Sequence, residues 1–378
     1  MKSKPMRVLQ ILGIVAGGGV EAVIMNYYEH IDRSQVQFDF VVHNDSPVDI
    51  TEKVKAMGGK VYKVTPYTKN VFAFMYDVYK IIKKNHYTIV HSNMNTLSVF
   101  SLFPAWMAGV PVRILHNHST SVPSETKRNI MKMILRPFAK LFANKYFACS
   151  QLAAEWMYGK SSAESGKVTI IHNAIDLKKY AFDQDKRDRI RKELGIENKF
   201  VIGHVGRFMY QKNHEFLIDV FYELLKFRKD AVLLMIGDGP LHNNIRDKIN
   251  ELGVADYVVD LGIRDDVNEL YNVMDVFCFP TRYEGLGMVV VEAEANDLPS
   301  LVSESVPNEA VVLPNLVKYF PLTLKTACDW AMELNHLRRK QTNSQDFFCC
   351  FEEKGYYIKK ESFNLVNHYN KYCNEAKV

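Results

Sequence analysis

Residues 277–292 read Phe-Cys-Phe-Pro-Thr-Arg-Tyr-Glu-Gly-Leu-Gly-Met-Val-Val-Val-Glu, and this stretch decides the fold. Its first residues are a short apolar run ending in proline, the pattern of a buried strand. Gly285 and Gly287 then mark a turn, and Met288 to Val291 open a second apolar run suited to a helix. Strand, glycine turn and helix N-terminus, in that order, form the unit of a parallel α/β sheet. Backbone N–H groups at such a turn can hold a phosphate. Glu284 and Glu292 flank the turn with seven residues between them, and carboxylates accept hydrogen bonds from sugar hydroxyls. The stretch therefore fits a sugar joined to a phosphate.

The same alternation extends outward. In the first half, strand patterns at Val8–Leu12, Phe38–Val42, Val61–Val64, Ile89–Ser92, Val112–Leu115 and Lys145–Ala148 are separated by helical patterns. The second half repeats it at Phe200–Val205, Ala231–Ile236, Val258–Leu261, Val276–Phe279 and Ser300–Val302. This predicts two Rossmann-like, doubly wound parallel-sheet domains of the α/β class, residues 1–180 and 181–356, facing a central cleft. Ligands of such sheets bind outside the C-terminal ends of the strands. The charge-rich stretch Asp183–Leu194 reads as a linker running into a surface helix. Beyond about residue 312 the pattern weakens, with helical patterns at Thr323–Leu337 and Phe363–Tyr372.

Composition narrows the function classes. A chain of 378 residues suits two domains. Its 48 basic and 43 acidic residues leave a net charge of +5, which fits anionic ligands or a membrane surface and does not point to nucleic acid. The six cysteines form no C-x-x-C pair, so free thiols in a reducing compartment are expected. No segment reaches ~18 uninterrupted apolar residues. A cytoplasmic protein without a transmembrane helix is expected.

The remaining motifs sit at predicted strand ends. Gly17-Gly-Gly-Val-Glu21 is either an anion-binding turn or a plain tight turn. It also fits a dinucleotide fingerprint with Asp39, but a ribose-binding acid belongs at the C-terminal end of its strand and Asp39 lies near the start, which disfavours a dehydrogenase. Gly206-Arg207-Phe-Met-Tyr-Gln-Lys212-Asn213 follows a strand and offers two cations to a diphosphate leaving group, or simply two exposed basic residues. Ile236-Gly-Asp-Gly-Pro240 and Gly262-Ile-Arg264-Asp-Asp-Val267 are structural turns or pocket walls. In His116-Asn-His118 a histidine at a strand end can point at a reacting sugar, with His118 favoured over His116. Asp183-Gln-Asp185 has the D-x-D form of a metal site on a sugar diphosphate, but it opens a helix and reads as an N-cap. With no other ligand cluster, no metal and no cofactor are expected. The paired glutamates look staggered along one ligand, which suits binding a sugar and a ribose better than flanking a bond as in a glycosidase. Arg128, Lys132, Arg136 and Lys140 recur every four residues beside Met131, Ile134, Phe138 and Leu141. This is a basic amphipathic helix, able to lie on an anionic membrane, or an ordinary solvated surface helix.

On these motifs the chain resembles the retaining glycosyltransferases of family 4 (glycosyl transferases group 1), which have the GT-B fold, from about residue 6 to 312. Pro280-Thr-Arg-Tyr-Glu-Gly-Leu-Gly-Met-Val-Val-Val-Glu-Ala293 is similar to the family's E-x7-E signature, and Gly206–Asn213 to its G-R-x4-K-N segment. Gly18-Gly-Val-Glu21 and Ile236–Pro240 also fit, and Val112–Ser119 looks like the subgroup that builds capsular polysaccharides and exopolysaccharides. The resemblance implies that Arg207 and Lys212 neutralise the diphosphate. It implies that Gly18, Gly19, Gly285 and Leu286 touch phosphate or sugar oxygens, with Gly206, Gly237, Arg264 and Gly287 completing the donor-binding set. Glu284 would bind donor sugar hydroxyls, Glu292 the ribose, and His118 (or His116) the sugar near its anomeric centre. The last helix, from about residue 357, would cross back to the first domain. Where the family commonly has a glycine before Leu-Pro, this chain has Asn296-Asp297, residue types that tolerate left-handed geometry.

The expectation is thus a retaining, metal-independent glycosyltransferase with Arg207, Lys212, Glu284 and His118 as its catalytic set. It would move a hexose-type sugar from a nucleotide diphosphate-sugar, UDP-linked by family habit, to a lipid-linked saccharide acceptor in capsule or exopolysaccharide biosynthesis. It would work peripherally at the inner face of the cytoplasmic membrane. The alternatives are a GT-B-type phosphorylase or epimerase, separable by product analysis with inorganic phosphate, and a non-catalytic sugar-nucleotide-binding subunit.

Overall fold

The computed structural model describes residues 4–17, 19–120, 126–323, 325–339 and 344–376. The chain divides into two units, Met1–Ile175 with Gly355–Val378, and Asp176–Lys354.

The first unit is built on seven strands: β1 Met6–Gly13, β2 Val36–His43, β3 Val61–Val64, β4 Ile89–Ser92, β5 Val112–Asn117, β6 Lys145–Ala148 and β7 Val168–Ile170. Their order is β3-β2-β1-β4-β5-β6-β7 and every pairing is parallel. Helices cover both faces, which is why the central strands read as nearly continuous apolar runs. One face buries Tyr27 and Tyr28 of helix Gly19–His30 with Phe38, Phe40 and, from the C-terminal helix Ile358–Glu375, Leu365, Val366 and Tyr369. The other buries Phe74, Val78 and Ile82 of helix Val71–Asn85 with Leu102 of helix Val99–Met107. Each such side chain contributes about 1.5–3 kcal/mol when fully buried. Strand order reverses between β1 and β4, so the loops after them open the binding crevice of this sheet.

The second unit has six strands: β8 Phe200–Val205, β9 Ala231–Ile236, β10 Val258–Asp260, β11 Val276–Phe279, β12 Ser300–Ser303 and β13 Val317–Phe320. Their order is β10-β9-β8-β11-β12-β13, again all parallel, with the reversal between β8 and β11. The core here gathers Phe221, Leu224, Leu233, Met235, Cys278, Leu301 and Trp330.

The organisation differs in detail from the expected one. The division falls at 175/176 rather than 180/181, because Asp176 accepts a hydrogen bond from Lys178 N and starts the helix Leu177–Tyr180, which packs in the second unit. The C-terminal return begins at residue 355, where Tyr357 bridges to Ile175 and Ile358 N donates to Ile175 O. Asp183–Leu194 is no linker. Asp183 caps the helix Gln184–Leu194, and Arg187 and Arg191 both hold Asp275 at the entrance to β11, at 2.5 and 2.7 Å. Its charges are largely paired, so charge density mistook a fastened helix for a solvated one.

Asp39 is fully buried in β2 and accepts from the Arg7 guanidinium, from Lys60 N at 2.7 Å and from the Tyr87 hydroxyl at 2.6 Å. An acid so occupied leaves no group for a ribose, consistent with disfavouring a dehydrogenase. Asp297 adopts φ +57°, the left-handed turn that a glycine would otherwise supply. Among the described residues, no helix is long and apolar enough to cross a membrane.

Candidate functional site

The second sheet's crevice lies where β8 and β11 run side by side. After β8 the chain forms the loop from Gly206, a short 3-10 turn Tyr210–Lys212, a left-handed Asn213 (φ +59°) and the helix His214–Leu225. After β11 it forms residues 280–287 and then the helix Met288–Ala295, whose N-cap Gly287 has φ +85° and so needs a residue without a Cβ penalty. The two loops are stitched together. Arg282 N donates to Gln211 O at 2.8 Å, Gln211 Nε2 to Tyr283 O at 2.9 Å, and Asn213 Nδ2 to Pro280 O at 3.0 Å.

That stitching delivers Lys212 Nζ to Glu284 Oε1 at 2.7 Å, with both side chains mostly shielded from water. The Thr281 hydroxyl lies 2.8 Å from the same oxygen, and the Lys212 ammonium also sits 4.7 Å from the centre of the Phe279 ring. Arg207, on the same loop as Lys212, is exposed and has no side-chain hydrogen bond among the described residues. Gly285 is exposed and Leu286 buried, so the turn between Glu284 and the helix presents backbone rather than side chain. A Cβ on Gly237 would fall 2.2 Å from Gly206 O, so the loops after β8 and β9 touch backbone to backbone. Gly237 N in turn donates to Gly262 O at 2.8 Å. Gly237 is thus required by close packing at the rim, whatever else it touches, whereas a Cβ on Gly206 would meet side-chain atoms of His204 and Lys212 at 3.3 Å. Arg264 does not join this group: it is exposed and spends its guanidinium on a two-pronged pair with Asp266 at 2.7 and 2.8 Å.

Glu292 lies within the helix Met288–Ala295. Tyr271 donates to its Oε2 at 2.8 Å and Tyr180 faces the same carboxyl. Burial pushes this carboxyl up to about 7, against the opposing pull of the two tyrosine hydrogen bonds. Part of Glu292 remains at the surface while its carboxyl is enclosed by protein. Arg339 Nη2 steadies this corner by donating to Tyr271 O at 3.0 Å and Asn296 Oδ1 at 2.9 Å. Asp183 accepts from Lys186 N at 3.0 Å, as an N-cap does. Among the described residues, no group of three or more His, Cys, Asp or Glu could hold a metal ion.

In the first unit, Gly18 lies outside the described residues. Gly19 opens the helix Gly19–His30, and Glu21 Oε1 accepts from Ala16 N at 2.8 Å, which closes the loop after β1. His116 is 1% exposed, whereas His118 keeps part of its surface. His118 N donates to Asn95 Oδ1 at 2.6 Å, and its Nε2 lies 3.0 Å from Asn93 Oδ1. Burial pushes the His91 and His118 imidazoles down to about 3 and holds His116 well below the ordinary histidine value, so all three are neutral at pH 7.

The expected basic stripe is different from its pattern. It lies on the helix Thr126–Phe142, where the side chain of Arg128 is outside the described residues. Lys132 Nζ donates to Thr120 O at 3.2 Å and Arg136 Nη1 to Trp156 O at 2.7 Å, while Lys140 is half-buried. What faces outward is apolar: Met133, Ile134 and Leu141 are 66%, 60% and 69% exposed, beside exposed Trp106 and Met107 of the adjoining helix. The basic residues snorkel back to cap carbonyls of the fold.

Sequence reasoning missed Thr281, Tyr271, Tyr180, Asn93 and Arg339. Thr281 stands three residues before Glu284, close enough to have been suspected; the others come from distant segments with no local signal.

These features have counterparts. The family described as Glycosyltransferase Family 4 matches residues 17–179, and that described as Glycosyl transferases group 1 matches residues 186–335. The chain is 33% identical over 311 residues to EpsF of Bacillus subtilis (strain 168), a candidate glycosyltransferase, covering 81% of each chain. It is 26% identical over 308 residues to the UDP-Gal:alpha-D-GlcNAc-diphosphoundecaprenol alpha-1,3-galactosyltransferase of Escherichia coli, covering 78% of each. HepE of Anabaena, solved in complex with UDP-glucose, superposes with a TM-score of 0.69 over 96% of this chain and 95% of its own, at 19% identity. At that identity the likeness speaks for the fold alone, and the fold is GT-B. The chain belongs to glycosyltransferase family 4, the group 1 glycosyl transferases, and is a glycosyltransferase.

Proposed function

We propose that this enzyme moves a hexose-type sugar from a UDP-sugar to a lipid-linked saccharide in cell-surface polysaccharide biosynthesis, with retention at the anomeric carbon. The observation that carries the reading is the Lys212–Glu284 pair at the β8/β11 crevice, 2.7 Å long, beside exposed Arg207. A sugar diphosphate presents hydroxyls and phosphate oxygens next to each other, and a carboxylate next to an ammonium matches that order. As the glycosidic bond breaks, charge grows on the departing phosphate, and cations already in place stabilise it most. Lys212 and Arg207 take this role, so the reaction needs no metal. Glu284 accepts from donor sugar hydroxyls and Glu292 from the ribose, while Gly19, Gly285 and Leu286 offer backbone to phosphate or sugar oxygens. His118, being neutral, serves as a hydrogen-bonding contact to the sugar rather than as a cation.

Retention follows a front-face route: the leaving phosphate oxygen takes the acceptor hydroxyl's proton as that oxygen bonds to the anomeric carbon on the same side. Glu284 is held by Lys212 and Thr281 and is poorly suited to act as a covalent nucleophile. The E. coli relative's name specifies a UDP-Gal donor and a diphosphoundecaprenol-linked acceptor, and HepE was solved with UDP-glucose, which favours the same classes here. The apolar face of the helix Thr126–Phe142 suits peripheral attachment at the inner face of the cytoplasmic membrane, where such acceptors lie.

The test is a thermal-shift screen of nucleotide-sugars, followed by turnover of any that stabilise the protein. Lys212→Ala should cut transfer by about 100-fold or more while circular dichroism stays native. Full activity in that variant would overturn the site.

A further inference from the structure

His242 is gripped from two sides. It opens the helix His242–Glu251, just beyond the loop that follows β9. Its Nδ1 lies 2.9 Å from Asp238 Oδ1 in that loop, and its Nε2 lies 2.6 Å from Asp260 Oδ2 at the end of β10. A carboxylate only accepts, and a neutral imidazole has a single N–H. Both contacts are hydrogen bonds together only when both ring nitrogens carry a proton, so the geometry makes His242 an imidazolium. A cation at a helix N-terminus is unfavourable by itself, so His242 depends on the two aspartates to stay charged. Hydrogen bonding to Asp260 raises the imidazole above its ordinary value, with Asp238 adding to this and burial opposing it. Among the described residues these are the charges that face it. His214, behind the Phe208 ring, is pushed down to about 2 by burial and is neutral, and Arg246, one turn along the same helix, is exposed.

The clasp bears on the loop that carries Arg207. Phe208 N donates to Asp238 O at 3.1 Å and Leu241 N donates to Phe208 O at 3.0 Å, so Phe208 is fastened at both ends to the turn that His242 closes. A Cβ on Gly239 would fall 2.5 Å from Phe208 O, a measure of how closely the two backbones run. The Phe208 ring is fully buried between the His242 ring, 4.8 Å away centre to centre, and the His214 ring at 4.1 Å. Arg207 precedes Phe208 and is exposed, so its place is set through its backbone.

We propose that His242 is a positioning residue for sugar transfer: as a cation bridging Asp238 and Asp260 it fixes the turn after β9 and, through Phe208, the backbone that presents Arg207 to the donor diphosphate. This rests on the reading of Arg207 as a cation for the diphosphate. When the imidazole loses a proton, one ring nitrogen turns a lone pair toward a carboxylate and that side of the clasp opens. Because folding raises the His242 value, the clasp is closed below that value and opens as pH rises through it.

The experiment uses full-length protein labelled with 15N-histidine, the His242 signals being assigned by their loss in His242→Gln or their shift in Asp260→Asn. His242 should carry a proton on both nitrogens at pH 6 and titrate above the ordinary histidine value of about 6.5. Transfer is then followed from pH 6 to pH 8.5 with saturating donor, as the ratio of wild-type kcat to that of His242→Gln, in which the titration of Glu292 cancels. The ratio should be roughly tenfold at pH 6 and fall toward one as pH rises through the midpoint seen by NMR. Asp260→Asn removes one of the two facing charges and should lower that midpoint. If His242→Gln folds poorly, the ratio of wild type to Asp260→Asn serves, and it should peak between their two midpoints. A wild-type midpoint at or below the ordinary value, or a kcat ratio that does not change with pH, overturns the proposal. Full transfer by Arg207→Ala would instead overturn the reading of Arg207, and it would leave the His242 midpoint where it is.

Discussion

Lys212 and Glu284 stand 72 residues apart in the chain and 2.7 Å apart in space. Two adjacent parallel strands bring this about, because the loops that leave β8 and β11 at the same edge share the hydrogen bonds of Gln211. Before the donor arrives, each charge satisfies the other. On the proposed function, phosphate oxygens would offer Lys212 a second anion and sugar hydroxyls would offer Glu284 new donors, and the pair would serve as a preformed mould for the junction between sugar and diphosphate.

The pair should therefore be coupled in stability as well as in function. Lys212→Gln alone leaves a shielded carboxylate, and loss of one partner from a buried pair costs about 3–5 kcal/mol. These side chains retain some solvent, so the lower end applies. The double variant Lys212→Gln/Glu284→Gln should cost less than the sum of the single variants by at least about 0.5 kcal/mol in urea melts. Strictly additive costs would mean that the two groups do not sense each other.

Much of the fold was legible because fully covered parallel strands are plain apolar runs; Phe200–Val205, Ala231–Ile236 and Val276–Phe279 occur where their residues indicate. β7 and β13 were not, since each lies at a sheet edge, is short, and mixes polar residues such as Thr169 and Lys318 into its pattern. The helix Gln184–Leu194 was misread because its charges looked solvated, and only the folded chain reveals Asp275 between Arg187 and Arg191. At the candidate site, Lys212, Glu284, Glu292 and His118 were each visible as motif members. Their partners were not. Tyr369 sits in an ordinary amphipathic helix, and Tyr271 in a short turn; long-range packing alone brings them to His91 and Glu292.

Glu294 gives a pH signature. It is fully buried, and its Oε2 accepts from Val312 N at 2.8 Å and from Leu313 N, tying the signature helix to the following loop. Burial outweighs these hydrogen bonds and raises its carboxyl to about 8. Between the ordinary carboxyl value and about 8 the unfolded chain releases this proton and the folded chain keeps it, so stability is greatest below that window and declines as pH rises through it. Glu294→Gln keeps an acceptor oxygen and removes the titration. The melting temperature of the variant minus that of the wild type should grow by at least about 3 °C from pH 5 to pH 8. A difference independent of pH would show that Glu294 is ionised in the folded protein.

Glu292 predicts a pH dependence of binding instead. Its carboxyl, raised to about 7 by burial, is partly protonated at neutral pH, and in the ribose-binding role proposed for it would accept hydroxyl hydrogens best when ionised. Affinity for the nucleoside diphosphate should rise as pH increases through about 7, and Glu292→Gln should bind with little pH dependence. Calorimetric titration of UDP between pH 6 and 8.5 measures this. A flat wild-type profile would remove the ribose role from Glu292.

The helix Thr126–Phe142 separates two modes of membrane attachment. A basic stripe would bind anionic lipid by charge and release it in salt, since exposed charges more than about 10 Å apart are largely screened near 0.1 M. Here Lys132 and Arg136 are committed to Thr120 O and Trp156 O, and the outward face carries Met133, Ile134 and Leu141. Burying one such side chain in the interface contributes about 1.5–3 kcal/mol. Ile134→Glu/Leu141→Glu should therefore weaken sedimentation with phosphatidylglycerol-containing vesicles by more than about tenfold, without lowering the melting temperature, because both positions are exposed. Raising the salt from 50 to 500 mM should weaken the wild type by less than this double substitution does. If salt releases the wild type and the substitutions do not, the charges rather than the apolar face hold the protein to the bilayer.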